Sequence, residues 1–169
     1  LGSLGSAGAK SIQKLKFNVH GWSRTYKTIP KITCHHGLKG LTQIIGICEI
    51  LILLLPLTPK TKYILNKRTF QKMRNGVIIM NPGRGELIND NDMLEALDKK
   101  KVKHATLDVF CEEPLPQMHP YWFNDNVTVT PHIAAATRPA SASLVLTNNI
   151  LKIRRGEKPK GLVNFKNFY

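Results

Sequence analysis

The stretch VIIMNPGRGEL, residues 77–87, runs a β-rich apolar segment straight into a Pro-Gly-Arg-Gly turn. Two other segments repeat that form, LDVFCEEPLP at 107–116 and TPHIAAATRP at 130–139. Each reads as a strand ending in a loop. In open α/β sheets the loops beyond the strand carboxyl ends are where ligands bind. Arg84, Glu113 and His132 are therefore expected to meet on one rim of a sheet.

Outward from this stretch, strand and helix periods alternate. After a first helix with Ala9, Ile12 and Leu15 on one face, the pattern predicts a strand Phe17–Trp22, a helix near Leu38–Ile45 and a strand Ile50–Leu55. That last run lies in an apolar stretch broken by Glu49 and Pro56, too short for a membrane span, and reads as a parallel strand buried on both faces. A short helix Lys67–Met73, the strand Val77–Asn81 and a helix opened by Asn89-Asp90-Asn91-Asp92 follow; such short polar side chains cap helices. Strands Ala105–Phe110 and Val127–Thr130 and a final helix Ala140–Arg155 complete the series. Such alternation implies right-handed crossovers and a parallel sheet. GEKPKGLVNFKNFY, at the end, has no clear period and is expected to pack elsewhere.

Near residue 1, Gly2-Ser3-Leu4-Gly5 enters the first helix. A dinucleotide-binding fold opens with a strand and G-x-G-x-x-G at a helix start, where backbone N–H groups hold the pyrophosphate. Gly2 and Gly5 read as the last two glycines of that fingerprint, with the first glycine and first strand missing. WSRT at 22–25 lies about twenty residues on, where the end of the second strand meets the adenosine ribose. An acidic residue there would bind the ribose 2′-hydroxyl and repel a 2′-phosphate. Ser23, Arg24 and Thr25 instead offer hydroxyls and a planar guanidinium suited to phosphate. NADPH is the expected cofactor and NADH the second candidate.

The composition bounds the partners. At 169 residues with 42% hydrophobic content, the chain can bury a core. Its 25 basic and 11 acidic residues give a net charge of +14, which raises nucleic acid as a rival partner. The basic residues are spread out, however, and the dense run Lys99-Lys100-Lys101 falls where a helix should end and favours its dipole. No nucleic-acid-binding motif accompanies them, so neither nucleic acid nor membrane is expected as a partner. Cys34, Cys48 and Cys111 form no C-x-x-C pair and fit a reducing compartment, taken as the cytoplasm. Cys34-His35-His36 reads as a loop, and no metal site is expected.

As a set, NPGRGEL, LDVFCEEPLP and TPHIAAATRP resemble the D-isomer-specific 2-hydroxyacid dehydrogenases; with WSRT and LPLTPKT (55–61) the chain looks like their glyoxylate/hydroxypyruvate reductase branch. The resemblance implies an α/β fold, a Rossmann-type doubly wound parallel sheet, here truncated at its N-terminus so that the first strand and the substrate domain are missing. Residues 1–139 would be the dinucleotide-binding domain, and 140–169 a helix and tail returning toward that missing domain. It implies NADPH-dependent reduction of glyoxylate to glycolate and of hydroxypyruvate to glycerate, and a homodimer when full length.

The chemistry asks for a cation for the substrate carboxylate, an acid for the developing alkoxide and a closely held hydride donor. Arg84 can grip carboxylate and carbonyl together. His132 as imidazolium would donate the proton, with Glu113 on its other ring nitrogen favouring the charged form and holding the ring. By resemblance Asp108, Asn81 and Pro82 lie beside the nicotinamide, and Leu55, Pro56, Thr61 and His132 also line the cofactor. The other histidines read as structural or solvated, and Trp122 as core. Two rivals stay open: a non-catalytic nucleotide-binding module or inactive fragment, since fold does not fix activity, and a related dehydrogenase acting on another 2-hydroxy acid.

Overall fold

The computed structural model describes residues 1–163. The chain forms two compact units, Leu1–His132 and Ile133–Tyr169. In the first, helix α1 (Ser3–Lys14) precedes strands β1 (His20–Ser23) and β2 (Thr33–His36). Helix α2 (Gly37–Ile47) then leads to β3 (Ile50–Ile52), α3 (Lys67–Lys72) to β4 (Val77–Asn81), and α4 (Asp90–Asp98) to β5 (Val102–Leu107), with β6 (Val127–Val129) last. All strand pairs are parallel. Parallel neighbours need crossovers, which the helices supply. The strands fall into two sheets, a pair β1-β2 and a four-stranded sheet in the order β3-β4-β5-β6.

The larger sheet carries the core. Ile79 on β4 and Ala105 on β5 are fully buried, as are Leu87 and Met93. Helix α4 buries Met93, Ala96 and Leu97, three residues at the spacing that lines one helix face. Its start is fixed as expected: the Asn89 side chain accepts from the Asp92 N–H. Helix α3 opens on a capping box, in which Asn66 accepts from the Thr69 N–H while the Thr69 hydroxyl receives the Asn66 N–H. Lys99-Lys100-Lys101 directly follows α4.

Several expectations need correction. Cys34-His35-His36 is not a loop but most of strand β2, paired with Gly21–Ser23. Its burial runs exposed, half-buried, half-buried, exposed, so no period of two marks it as a strand. Strand β1 starts at His20 rather than Phe17, which is exposed. The Ile50–Leu55 run makes only three residues of strand, and Ile50 and Ile52 stay 44% and 37% exposed, because β3 has a neighbour on the β4 side alone. β5 begins at Val102, earlier than expected. Leu15 ends α1 exposed instead of on its buried face. Trp122 is half-exposed, its indole donating to the Pro116 carbonyl at 3.0 Å, while neighbouring Tyr121 enters the core.

In the second unit, helix α5 (Pro139–Arg154) matches the expected helix within a residue at each end. The Asn149 amide donates to the Lys160 carbonyl at 3.1 Å and accepts its N–H at 2.9 Å, tying the tail to the helix. Residues 164–169, part of the tail expected to return toward another domain, lie outside the described residues. Among the described residues no helix is long and apolar enough to cross a membrane, and no cluster of three or more metal-ligating side chains occurs.

Candidate active site

The site is built at the carboxyl ends of β4, β5 and β6. Asn81 ends β4 and is 1% exposed. Its amide oxygen accepts the Gly83 N–H at 3.1 Å and its amide nitrogen donates to the Arg84 carbonyl at 2.9 Å, so one side chain clamps both sides of the NPGRG turn. Arg84 is thereby presented on the surface in extended backbone, its guanidinium donating to the Gly83 carbonyl at 2.7 Å. The next residue must be glycine. A Cβ on Gly85 would fall 1.9 Å from the carbonyl carbon of Phe110 and 2.5 Å from the Cys111 nitrogen. The arginine turn and the loop after β5 are therefore in backbone contact.

That second loop carries Glu113. One carboxylate oxygen accepts the Phe110 N–H at 3.0 Å and the other lies 2.8 Å from His132 Nδ1. The His132 hydrogen bond first, the Phe110 N–H next and the Arg84 charge also hold the Glu113 carboxyl below its ordinary range. His132 sits at a left-handed φ of 55°, with its N–H donating to the Thr130 carbonyl at 3.1 Å. That conformation is uncommon outside glycine. A tight turn after Pro131 thus aims the imidazole at Glu113. Glu113 and His132 meet through Nδ1 at 2.8 Å, and the Arg84 charge reaches the Glu113 carboxyl.

Asp108, 4% exposed, lies one residue beyond β5 and accepts from the Thr130 hydroxyl at 2.5 Å, while its own N–H donates to the Asn81 carbonyl at 3.1 Å. Asn81, Asp108 and Thr130 thus tie three strand ends into one rim, with Pro82 half-buried beside it. Thr130 and Phe110 were not singled out from the sequence. Thr130 stands two residues before His132, so its place was visible, but Phe110 acts only through its backbone N–H, which no residue type reveals.

The remaining candidates lie along the first strands. Gly2 is the N-cap of α1, ahead of Ser3, Leu4 and Gly5 in its first turn. A Cβ built on Gly2 or Gly5 would meet nothing within 4 Å, and Leu4 is 71% exposed. Internal packing therefore does not require glycine at either position. Open space over a helix start whose first N–H groups lack helical partners fits a phosphate group. Ser23 ends β1 buried, its hydroxyl donating to the Thr25 carbonyl at 2.8 Å, and Arg24 and Thr25 are exposed just beyond. Leu55 and Pro56 follow β3. The Thr61 hydroxyl donates to the Pro56 carbonyl at 2.7 Å and accepts the Thr58 N–H at 2.8 Å, which closes the 56–61 loop on itself.

The sequence model for the D-isomer specific 2-hydroxyacid dehydrogenase NAD binding domain matches residues 1–134. A D-isomer specific 2-hydroxyacid dehydrogenase from Xanthobacter autotrophicus Py2, solved with NADPH and MES, is 37% identical with a TM-score of 0.98; the match covers 100% of this chain and 70% of that one. The NADPH-dependent glyoxylate/hydroxypyruvate reductase of Sinorhizobium meliloti, solved with NADP and sulfate, is 33% identical with a TM-score of 0.95 over 100% of this chain and 55% of its own. A family protein from Klebsiella pneumoniae 342 is 39% identical with a TM-score of 0.92, over 97% of this chain and 53% of its own. This chain thus spans little more than half the length of the latter two. It belongs to the D-isomer specific 2-hydroxyacid dehydrogenases, and residues 1–134 match that family's NAD-binding domain.

Proposed function

We propose that the chain supplies the cofactor-binding and proton-donating part of an NADPH-dependent reductase of small 2-oxo acids, converting glyoxylate to glycolate and hydroxypyruvate to glycerate. The observation that carries this is the 2.8 Å contact of His132 with Glu113, beside Arg84. Arg84 binds the substrate carboxylate and polarises its carbonyl. His132 gives a proton from Nε2 to the carbonyl oxygen, and Glu113 balances the charge and fixes the ring. Bound NADPH supplies the hydride that completes reduction at the carbonyl carbon. The backbone N–H groups at Ser3, Leu4 and Gly5 would receive its pyrophosphate, and Ser23, Arg24 and Thr25 its 2′-phosphate. Asn81, Pro82 and Asp108 would border the nicotinamide, with Leu55, Pro56 and Thr61 along the cofactor. The NADP(H) bound by the Xanthobacter and Sinorhizobium proteins supports that choice. Free cysteines at 34, 48 and 111 agree with a cytoplasmic setting, and a homodimer of the full-length protein belongs to the same reading.

The test is the loss of NADPH absorbance on adding glyoxylate or hydroxypyruvate, for the chain and for His132→Ala. Substrate-dependent turnover that falls by at least about 10²-fold in the variant, with NADPH affinity within a few-fold, is the expected result. A parent chain that does not bind NADPH would sink the reading, and turnover retained in the variant would remove the acid role.

A further inference from the structure

Four hydrogen bonds run from the arginine turn to His132. The Arg84 carbonyl accepts the Asn81 amide at 2.9 Å, and the Asn81 carbonyl accepts the Asp108 N–H at 3.1 Å. The Asp108 carboxylate accepts the Thr130 hydroxyl at 2.5 Å, and the Thr130 carbonyl accepts the His132 N–H at 3.1 Å. Of these four links, the one between Asp108 and Thr130 joins two side chains, so a change of residue type at Thr130 breaks it and leaves the others possible. His132 depends on such an anchor. Its side chain is 53% exposed, so packing does little to hold the ring. Its left-handed φ of 55° is one that a residue other than glycine keeps where the surroundings over-determine it.

We propose that Thr130 is a positioning residue: through its hydroxyl on Asp108 it fixes the carbonyl that receives the His132 N–H, and with it the place of the imidazole against Glu113. Three features equip it. The Thr130 N–H donates to the Leu107 carbonyl at 3.0 Å, which extends the β5-β6 ladder one residue past β6. Its β-branched side chain has few χ1 choices, and the hydroxyl fixes one of them on a carboxyl group that is 4% exposed. The 2.5 Å separation is that of a hydroxyl bonded to a carboxylate, which is among the strong hydrogen bonds. The consequence for turnover rests on the reading of His132 as proton donor, whereas the consequence for the Glu113–His132 contact does not. Valine has the shape of threonine without the hydroxyl. With valine at 130 the ladder bond stays and the anchor on Asp108 goes, so the 2.8 Å contact of His132 with Glu113 loosens. A proton donor has to lie within about 2.6–3.2 Å of its acceptor, so a loosened ring is a slower acid.

The experiment compares Thr130→Val and Thr130→Ser with the parent chain. The first reading is a carbon NMR titration of the Glu113 carboxyl, which the His132 hydrogen bond holds low above all other causes, so that its midpoint reports the contact. In Thr130→Val the midpoint should rise part of the way toward its value in His132→Ala. NADPH affinity should stay within a few-fold, and where the parent turns over glyoxylate, kcat should fall by about 10- to 100-fold with KM changed far less. Thr130→Ser restores the hydroxyl without the methyl and should return both midpoint and kcat to the parent's. A midpoint in Thr130→Val equal to the parent's overturns the proposal, whether or not the chain is an enzyme. So does a serine variant that behaves like the valine one, which assigns the effect to the methyl. If Thr130→Val does not fold, Thr130→Ala is read in the same way, and loss of folding in both makes Thr130 a residue of stability alone and overturns the proposal. A shifted midpoint with unchanged kcat keeps the positioning role and removes the proton-donor reading instead.

Discussion

Glu113 accepts two hydrogen bonds with two different oxygens, and its depressed carboxyl pKa has a defined consequence for pH. A carboxylate whose folded value lies below its unfolded one adds stability that is complete above the unfolded pKa, about 4.3, and is lost as pH falls through the folded value. The Glu113–His132 pairing should therefore outlast moderate acid, with no change in the carboxylate between about pH 5 and 8. Carbon NMR titration of the Glu113 carboxyl should show its midpoint rising in His132→Ala; an unmoved midpoint would mean that the imidazole is not its main partner. Arg24 carries the second residue-scale prediction. Arg24→Ala should weaken NADPH by roughly 10-fold or more and leave NADH nearly unchanged, since the lost charge-assisted contact, about 1.5–3 kcal/mol, is to the 2′-phosphate alone. Equal dissociation constants before and after, for both cofactors, would assign Arg24 to the surface. Arg84, Glu113 and His132 were legible because guanidinium, carboxylate and imidazole are residue types that show in the sequence, each in a loop after a strand pattern. Phe110 was not, because any residue but proline has that N–H.

The NPGRG turn and the 110–113 loop behave as one element because Gly85 lets their backbones touch. Gly85→Ala drives a methyl into Phe110 carbonyl atoms that have no rotamer to escape by, and overpacking of this kind costs typically 1–3 kcal/mol. We expect the thermal midpoint to fall and substrate turnover to drop more than NADPH binding, because the displaced loops hold Arg84 and Glu113 and not the start of α1. A variant with the parent's turnover and midpoint would show that the loops part easily. Strong local signals made the other elements legible: Asn89 and the acidic residues after it marked α4, and an unbroken apolar run marked β4. The errors have a common cause. Pattern reads a residue's tendency to be buried, whereas Ile50, Ile52 and Leu15 are apolar residues left exposed by what does or does not pack beside them, and Cys34-His35-His36 is a strand whose pairing with β1 is not written in its composition.

Along the sequence the basic residues are spread rather than bunched, and a net charge of +14 acts as a long-range field on anionic ligands. Raising ionic strength from ~50 mM to ~500 mM shortens the Debye length severalfold, and should weaken NADPH binding more than NADH binding because the extra phosphate carries the extra charge. Parallel salt dependences for both, measured by titration, would argue that nothing in the chain reads that phosphate. The order β3-β4-β5-β6 is the same in space as along the chain. Each strand pairs with the one before it, at separations such as Ile50 to Ile78 and Ala105 to Val127. Loop closure over such distances is slow for a parallel sheet formed all at once. A chain synthesised from its N-terminus, however, presents the earlier strand as a template before the later one exists. This sheet can be laid down in the order in which the ribosome delivers it, with no finished pairing to undo.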